Sequence, residues 1–176
     1  MTELISAESD LKKIRGIAFD VDGVLTDGSF WWGPNGEEWK RFSFIDVMGI
    51  SLARRAGLEL ALISGEDSYL VDWYAQKMRI RHAVRGCRDK AGALRDFATA
   101  AGMELNEICF MGDDVNDLPA MRIAALSAAP ATAAKDVLVE AQFISKATGG
   151  NGAVRELIEA ILAARGLDLQ EVFARP

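Results

Sequence analysis

Two aspartates, Asp20 and Asp22, stand one residue apart in the string GIAFDVDGVLTDG, directly after an apolar run. Carboxylates this close repel each other unless a positive charge lies beside them, and a hard divalent cation such as Mg²⁺ suits such oxygen donors best. That ion keeps water positions that phosphate oxygens can displace, and a carboxylate is an accepted nucleophile in phosphoryl transfer. The competing reading is a solvated Asp-rich turn after a strand. Against it stands the coincidence of both acids with Gly23, Gly28 and the preceding apolar residues Ile14, Ile17, Ala18 and Phe19.

Two other segments repeat the pattern of an apolar run ending in polar chemistry, and a third adds a cation. Ile108 to Gly112 runs into GDDVNDLP, with Asp113, Asp114, Asn116 and Asp117. Leu58 to Ile63 runs into Ser64-Gly65, which either offers a hydroxyl and an amide to an anion or caps the helix expected over 67–78. Lys90 falls in the first turn of a helix beginning near Asp89, an end that disfavours cations. Either Asp89 compensates it locally or an acid from elsewhere in the fold does. Histidine chemistry has only His82 to draw on, and Cys87 and Cys109 form no CxxC pair.

The elements that must position these residues alternate. Strands are expected at the runs above, at 82–84, near Leu126 and at 142–145. Helices are expected over 45–56 (ended by Gly57), 67–78, 91–101 (ended by Gly102), around Pro119, and over 132–141 and 153–165. In SFWWGPNGEEWKRFSF the aromatic segments flank a turn, Gly33 to Gly36, and read as a hairpin insert at about 29–44. Its tryptophans either pack internally or meet another subunit. Residues 1–13 read as a short helical or irregular lead-in, TGGNG (148–152) as a flexible turn, and 166–176 as a C-terminal tail. The order predicts one domain over 1–176: a doubly wound, Rossmann-like α/β fold with a parallel sheet, a small hairpin and no cap domain. In such sheets ligands bind beyond the carboxyl ends of the strands, which is where every polar cluster falls.

The 176 residues carry a net charge of −6, which disfavours nucleic acid and anionic membrane surfaces. With no apolar stretch of signal-peptide or transmembrane length, a cytoplasmic enzyme is the expectation.

In order and placement, DVDGVLTDG, SG, DK and GDDVND resemble the haloacid dehalogenase superfamily of Mg²⁺-dependent phosphohydrolases. LTDG, NGEEWKRF, the helix start at Asp46 and GGNGAVRE make the chain similar to the capless 3-deoxy-D-manno-octulosonate 8-phosphate phosphatases and the related 2-keto-3-deoxynononate 9-phosphate phosphatases. The resemblance implies an aspartyl-phosphate formed on Asp20, with Asp22 as acid and base, and Ser64 and Lys90 on the phosphoryl oxygens. It implies Mg²⁺ held by Asp20, the Asp22 backbone carbonyl and Asp113. Asp117 would orient Lys90 or a metal-bound water, with Asp114 and Asn116 in support. Substrate contacts are expected from Thr26, Asp46, Ser64, Gly65, Glu66, Lys77, Lys90 and Arg155. Assembly is expected to be a homotetramer whose hairpins and C-terminal segments cover neighbouring sites.

Glu66 departs from the octulosonate pattern, which has arginine there. The nononate group has glutamate, with a lysine in the place of Lys77. Val47 departs from a frequent glycine. Other classes stay open: a phospho-accepting signalling receiver, or a sugar-phosphate-binding assembly subunit with little turnover.

Overall fold

In the computed structural model, which describes residues 10–175, the apolar run before Asp20 forms β1 (Gly16–Phe19), buried at every position. Trp31–Trp32 (β2) and Glu38–Trp39 (β3) make an antiparallel hairpin in which Trp31 faces Trp39. Then come α1 (Phe44–Arg55), β4 (Glu59–Ile63), α2 (Tyr69–Met78), β5 (His82–Val84) and α3 (Lys90–Ala101). A 3₁₀ turn at Leu105–Glu107 leads into β6 (Ile108–Met111), α4 (Leu118–Met121), β7 (Leu126–Ala129), α5 (Lys135–Glu140) and β8 (Phe143–Ile144). The chain closes with α6 (Ala153–Ala164) and α7 (Leu169–Phe173).

The main sheet runs β5-β4-β1-β6-β7-β8, with every pairing parallel. From β1 the chain first builds outward through β4 and β5, then crosses back to β6 on the other side of β1. The connections leaving β1 and β6 run to opposite sides of the sheet, and the crevice between such strands is where open parallel sheets take up ligands. Alternation sorts the side chains into two layers. Ile17, Phe19, Leu60, Leu62, Cys109 and Met111 join the core beneath α1, α2, α6 and α7. Ala18, Ala61, Ile63, Ile108 and Phe110 join the core beneath α3, α4 and α5.

α6 presents Val154, Leu157, Ile158, Ile161 and Leu162 as one buried stripe. It lies close on α1 because Gly49 has no side chain: a Cβ there would sit 2.9 Å from Arg155 Cα. Three expectations change. The helix expected over 132–141 begins only at Lys135, because the preceding segment turns so that the Ala134 amide reaches the Asp113 carbonyl at 2.7 Å. The tail carries α7, whose start is capped by Asp168 through the Gln170 and Glu171 amides and whose Val172 is buried. TGGNG is not a free turn: the Gly150 amide donates to the Val24 carbonyl at 2.9 Å, and the Gly23 carbonyl leaves no room for a Cβ at Gly149. Of the lead-in, residues 10–13 are helical and the rest lies outside the described residues.

Candidate active site

Asp20 is the first residue beyond β1, and its amide donates to the Met111 carbonyl at 2.9 Å, so the acid loop starts tied to β6. The loop then turns on itself, with the Leu25 and Thr26 amides both donating to the Val21 carbonyl. Gly23 and Gly28 take positive φ, 93° and 80°, which a side chain would strain. The buried Thr26 hydroxyl oxygen accepts from both their amides, so Thr26 shapes the loop from within.

Lys90 reaches Asp20 from the start of α3. Its side chain is 1% exposed, and its ammonium lies 2.7 Å from Asp20 Oδ1 and 2.6 Å from Asp117 Oδ1. The charge that looked misplaced on its own helix is therefore paired across the fold, while Asp89 caps that helix through the Gly92 amide. Burial alone would push the lysine down; the neighbouring carboxylates of Asp20 and Asp117 outweigh it and hold the ammonium charged. Asp117 Oδ2 accepts from the Asp113 and Asp114 amides, so both its oxygens are engaged.

Carboxylate oxygens of Asp20, Asp113 and Asp117 lie within 4.8 Å of one another. Against these three carboxylates stands one ammonium, and the imbalance shows in their protonation. Burial, then the charge of Asp117, raises Asp20 to about 6. Burial, then the charges of Asp20 and Asp117, raises Asp113 to about 8. A divalent cation fits this site, because it supplies the missing positive charge to oxygen donors that are otherwise driven to keep protons. Asp20 and Asp113 are the side chains placed to hold it. Asp117 stands near enough, but its oxygens already serve Lys90 and the two amides.

The Asp22 carboxylate turns away from this cluster toward the hairpin, where Lys40 Nζ lies 2.8 Å from Asp22 Oδ2 and 3.2 Å from Glu38 Oε1. Ser64, just past β4, does not cap a helix; Ser68 caps α2 by accepting from the Leu70 amide. The Ser64 hydroxyl folds into a local turn with the Glu66 amide and carbonyl, at the edge of the crevice.

That crevice, about 830 Å³, joins Asp20, Asp22, Ser64, Gly65, Glu66, Asp113, Asp114 and Asn116 to Phe30, Trp32, Glu38 and Lys40 of the hairpin. Cys87 and Arg88 complete its wall. Of the expected substrate residues, five do not line it: Thr26 and Lys90 are buried, and Asp46, Arg155 and Lys77 are engaged elsewhere. Asp46 is fully buried and accepts from the Gly152 and Arg155 amides, which pins the start of α6 to α1. The Arg155 side chain pairs with Glu159 along its own helix. Lys77 borders a separate apolar groove, its ammonium 6.0 Å from the centre of the Phe44 ring. Conversely, Lys40 and Arg88 line the crevice without having been singled out. The alternation Glu38, Trp39, Lys40 carried a signal for the first, since it sends the two charged residues to one side of the hairpin.

A parallel sheet with paired acids beyond its central strand, a lysine locked onto the first of them and only a hairpin as insert defines a capless α/β hydrolase of phosphoryl-transfer type. Residues 49–157 match the family model of haloacid dehalogenase-like hydrolases, and the chain belongs to that family. The receiver reading ends there. Over 155 residues the chain is 36% identical to the 3-deoxy-D-manno-octulosonate 8-phosphate phosphatase of Escherichia coli K12, spanning 88% of this chain and 82% of that protein. The crystal structure of the Moraxella catarrhalis phosphatase of the same name, in complex with magnesium, phosphate and KDO, superposes with a TM-score of 0.90 at 34% identity, covering 96% of both chains. A subfamily III A hydrolase of the superfamily from Legionella pneumophila superposes with a TM-score of 0.94 at 34% identity, covering 98% of this chain and 94% of that one.

Proposed function

We propose that the protein hydrolyses the phosphate monoester of a 3-deoxy-2-keto sugar acid, an octulosonate 8-phosphate or a nononate 9-phosphate, in a Mg²⁺-dependent reaction. The carrying observation is the lock of Lys90 onto Asp20 at 2.7 Å, with Asp113 beside them. The Asp20 carboxylate forms a bond to phosphorus as the bond from phosphorus to the sugar oxygen breaks, and Asp22 donates the proton that oxygen needs to leave. Asp22 then takes a proton from water, whose oxygen attacks the aspartyl-phosphate and frees Asp20 and inorganic phosphate. Lys90 stays charged throughout and neutralises phosphoryl oxygens, with the Ser64 hydroxyl and the Gly65 amide on the same rim. Mg²⁺ on Asp20 and Asp113 would add Lewis-acid stabilisation of the phosphoryl charge. Asp114 and Asn116 border the space for the sugar.

The test is phosphate release from a panel of phosphorylated octulosonate, nononate and hexoses, with and without Mg²⁺. Sugar acids are expected to lead the panel, and Asp20→Asn to abolish turnover; full turnover in that variant removes the nucleophile assignment.

We also propose a cytoplasmic homotetramer. Its support is the hairpin, where Trp31, Trp32 and Trp39 are all at least half exposed beside the crevice. Among the described residues no helix is long and apolar enough to cross a membrane. Light scattering on the eluting protein measures the assembly, and a Trp32→Glu variant is expected to shift it toward smaller species.

A further inference from the structure

A sugar-acid phosphate carries two anions, and they need separate partners. The phosphoryl group is met by Lys90, Ser64 and the metal-binding acids. The carboxylate enters a crevice walled by Asp22, Glu38, Glu66, Asp113 and Asp114, which repels it. The wall itself holds two cations, Lys40 and Arg88. Lys40 is shared between Asp22 and Glu38, and the buried Lys90 beyond the wall between Asp20 and Asp117. Arg88 is different: among the described residues it makes no ion pair and no side-chain hydrogen bond, and it is exposed at the crevice.

Its backbone is nevertheless fixed on both sides. The Gly86 amide donates to the Glu66 carbonyl at 3.0 Å, and the Cys87 amide to the Ser64 carbonyl at 2.9 Å. After it, Asp89 closes the first turn of α3 through the Gly92 amide at 2.9 Å. Arg88 thus rides on a loop stapled to the one that carries Ser64 and Glu66, two residues before the lysine that marks the phosphoryl end.

We infer that Arg88 is the residue that binds the substrate carboxylate, an assignment that rests on the sugar-acid substrate proposed above. A guanidinium presents parallel N–H donors that match a carboxylate in a bidentate pair, which an ammonium cannot do. On a chain of net charge −6 it also gives an approaching anion a local positive point at the mouth of the site. Glu66, on the neighbouring loop, is left to accept hydrogen bonds from sugar hydroxyls.

The test compares kcat/KM for an octulosonate or nononate phosphate with that for arabinose 5-phosphate, a carboxylate-free primary ester. The readout is the ratio of the two, and activity on the carboxylate-free ester shows that each variant is folded. Arg88→Ala is expected to lower the ratio about tenfold, mainly through KM for the sugar acid, the scale of one exposed charge-assisted pair. Arg88→Lys is expected to retain more of the ratio than Arg88→Ala. An Arg88→Ala ratio equal to that of the unaltered enzyme overturns the assignment and leaves the sugar-acid reading standing. A ratio near one in the unaltered enzyme overturns the sugar-acid reading, and the Arg88 assignment with it.

Discussion

Lys40 places its ammonium 2.8 Å from the carboxylate of Asp22, with its side chain 2% exposed. The lysine comes from the return arm of the hairpin and the aspartate from the loop after β1, so the hairpin reaches directly to the residue proposed as acid and base. Burial alone would push Lys40 down, but the bonds and charges of Asp22 and Glu38 outweigh it and raise it, so the ammonium stays charged. Lys40→Met is expected to release Asp22 from its position and lower kcat on a sugar phosphate about 10- to 100-fold, the range of a general acid–base contribution. On p-nitrophenyl phosphate, whose leaving group needs no proton, the loss is expected to be much smaller. Equal losses on the two esters would show that Lys40 does not act through Asp22.

Asp117 is fully buried and serves Lys90 and the Asp113 and Asp114 amides at once. Asp117→Ala leaves two amides without their acceptor and Lys90 with one carboxylate. With Mg²⁺ present, so that charge repulsion among the acids is already relieved, the variant is expected to lose about 3 kcal/mol in urea unfolding, as for a broken buried pair. A loss below about 1 kcal/mol, the scale of a single ordinary hydrogen bond, would contradict this account.

The raised acids give stability a definite pH dependence. Unfolded aspartates titrate near 4, whereas folded Asp20 and Asp113 titrate at about 6 and about 8. Between those values the folded protein binds more protons than the unfolded chain. The metal-free protein therefore loses stability as pH rises from about 4 through about 8, so far as these two groups are concerned. Mg²⁺ must displace those protons and then offsets the repulsion, so its stabilising effect grows over the same window. The gain in Tm from saturating Mg²⁺ is expected to be larger at about pH 8 than at about pH 5. A gain that is flat across this range would sink the assignment of the ion to these acids.

Gly149 lies against the Gly23 carbonyl with no space for a side chain, and a Cβ at Gly150 would fall 2.6 Å from the Asp27 amide nitrogen. Gly149→Ala is expected to cost about 2 kcal/mol or more through overpacking. It is also expected to lower kcat, because the backbone it displaces belongs to the acid loop. Thermal unfolding and phosphate release on the same preparation check both; loss of stability with full turnover would separate the contact from the chemistry.

Much of the site was legible because its residues sit at a single kind of place. Asp20, Ser64 and Asp113 each follow a buried apolar strand, a pattern that chain order alone displays. Lys90 was legible as an anomaly, a cation at the wrong end of a helix, and the resemblance pointed to Asp117 beside it; the direct pair with Asp20 was not legible. Lys40 and Arg88 escaped notice because a lysine or arginine carries no sign of what faces it, and both reach the crevice only through tertiary folding. Asp46 was named only through the resemblance, and what it touches was not legible: the packing of α6 on α1 buries it against the Gly152 and Arg155 amides. The start of α5 was misplaced because the Asp113 carbonyl draws the Ala134 amide away from helical geometry, a contact more than twenty residues apart in sequence.

The junction of Gly149 and Gly150 with the first acid loop also bears on how the molecule is made. Asp20, the proposed nucleophile, stands just past β1, but the floor beneath its loop is laid by residues that follow β8. On the ribosome, β1 and β4 have emerged long before that floor exists, and the loop between Asp20 and Gly28 has nothing to rest on. The contact that completes the acid loop therefore forms only once Gly149 and Gly150 have been made, after every strand of the parallel sheet.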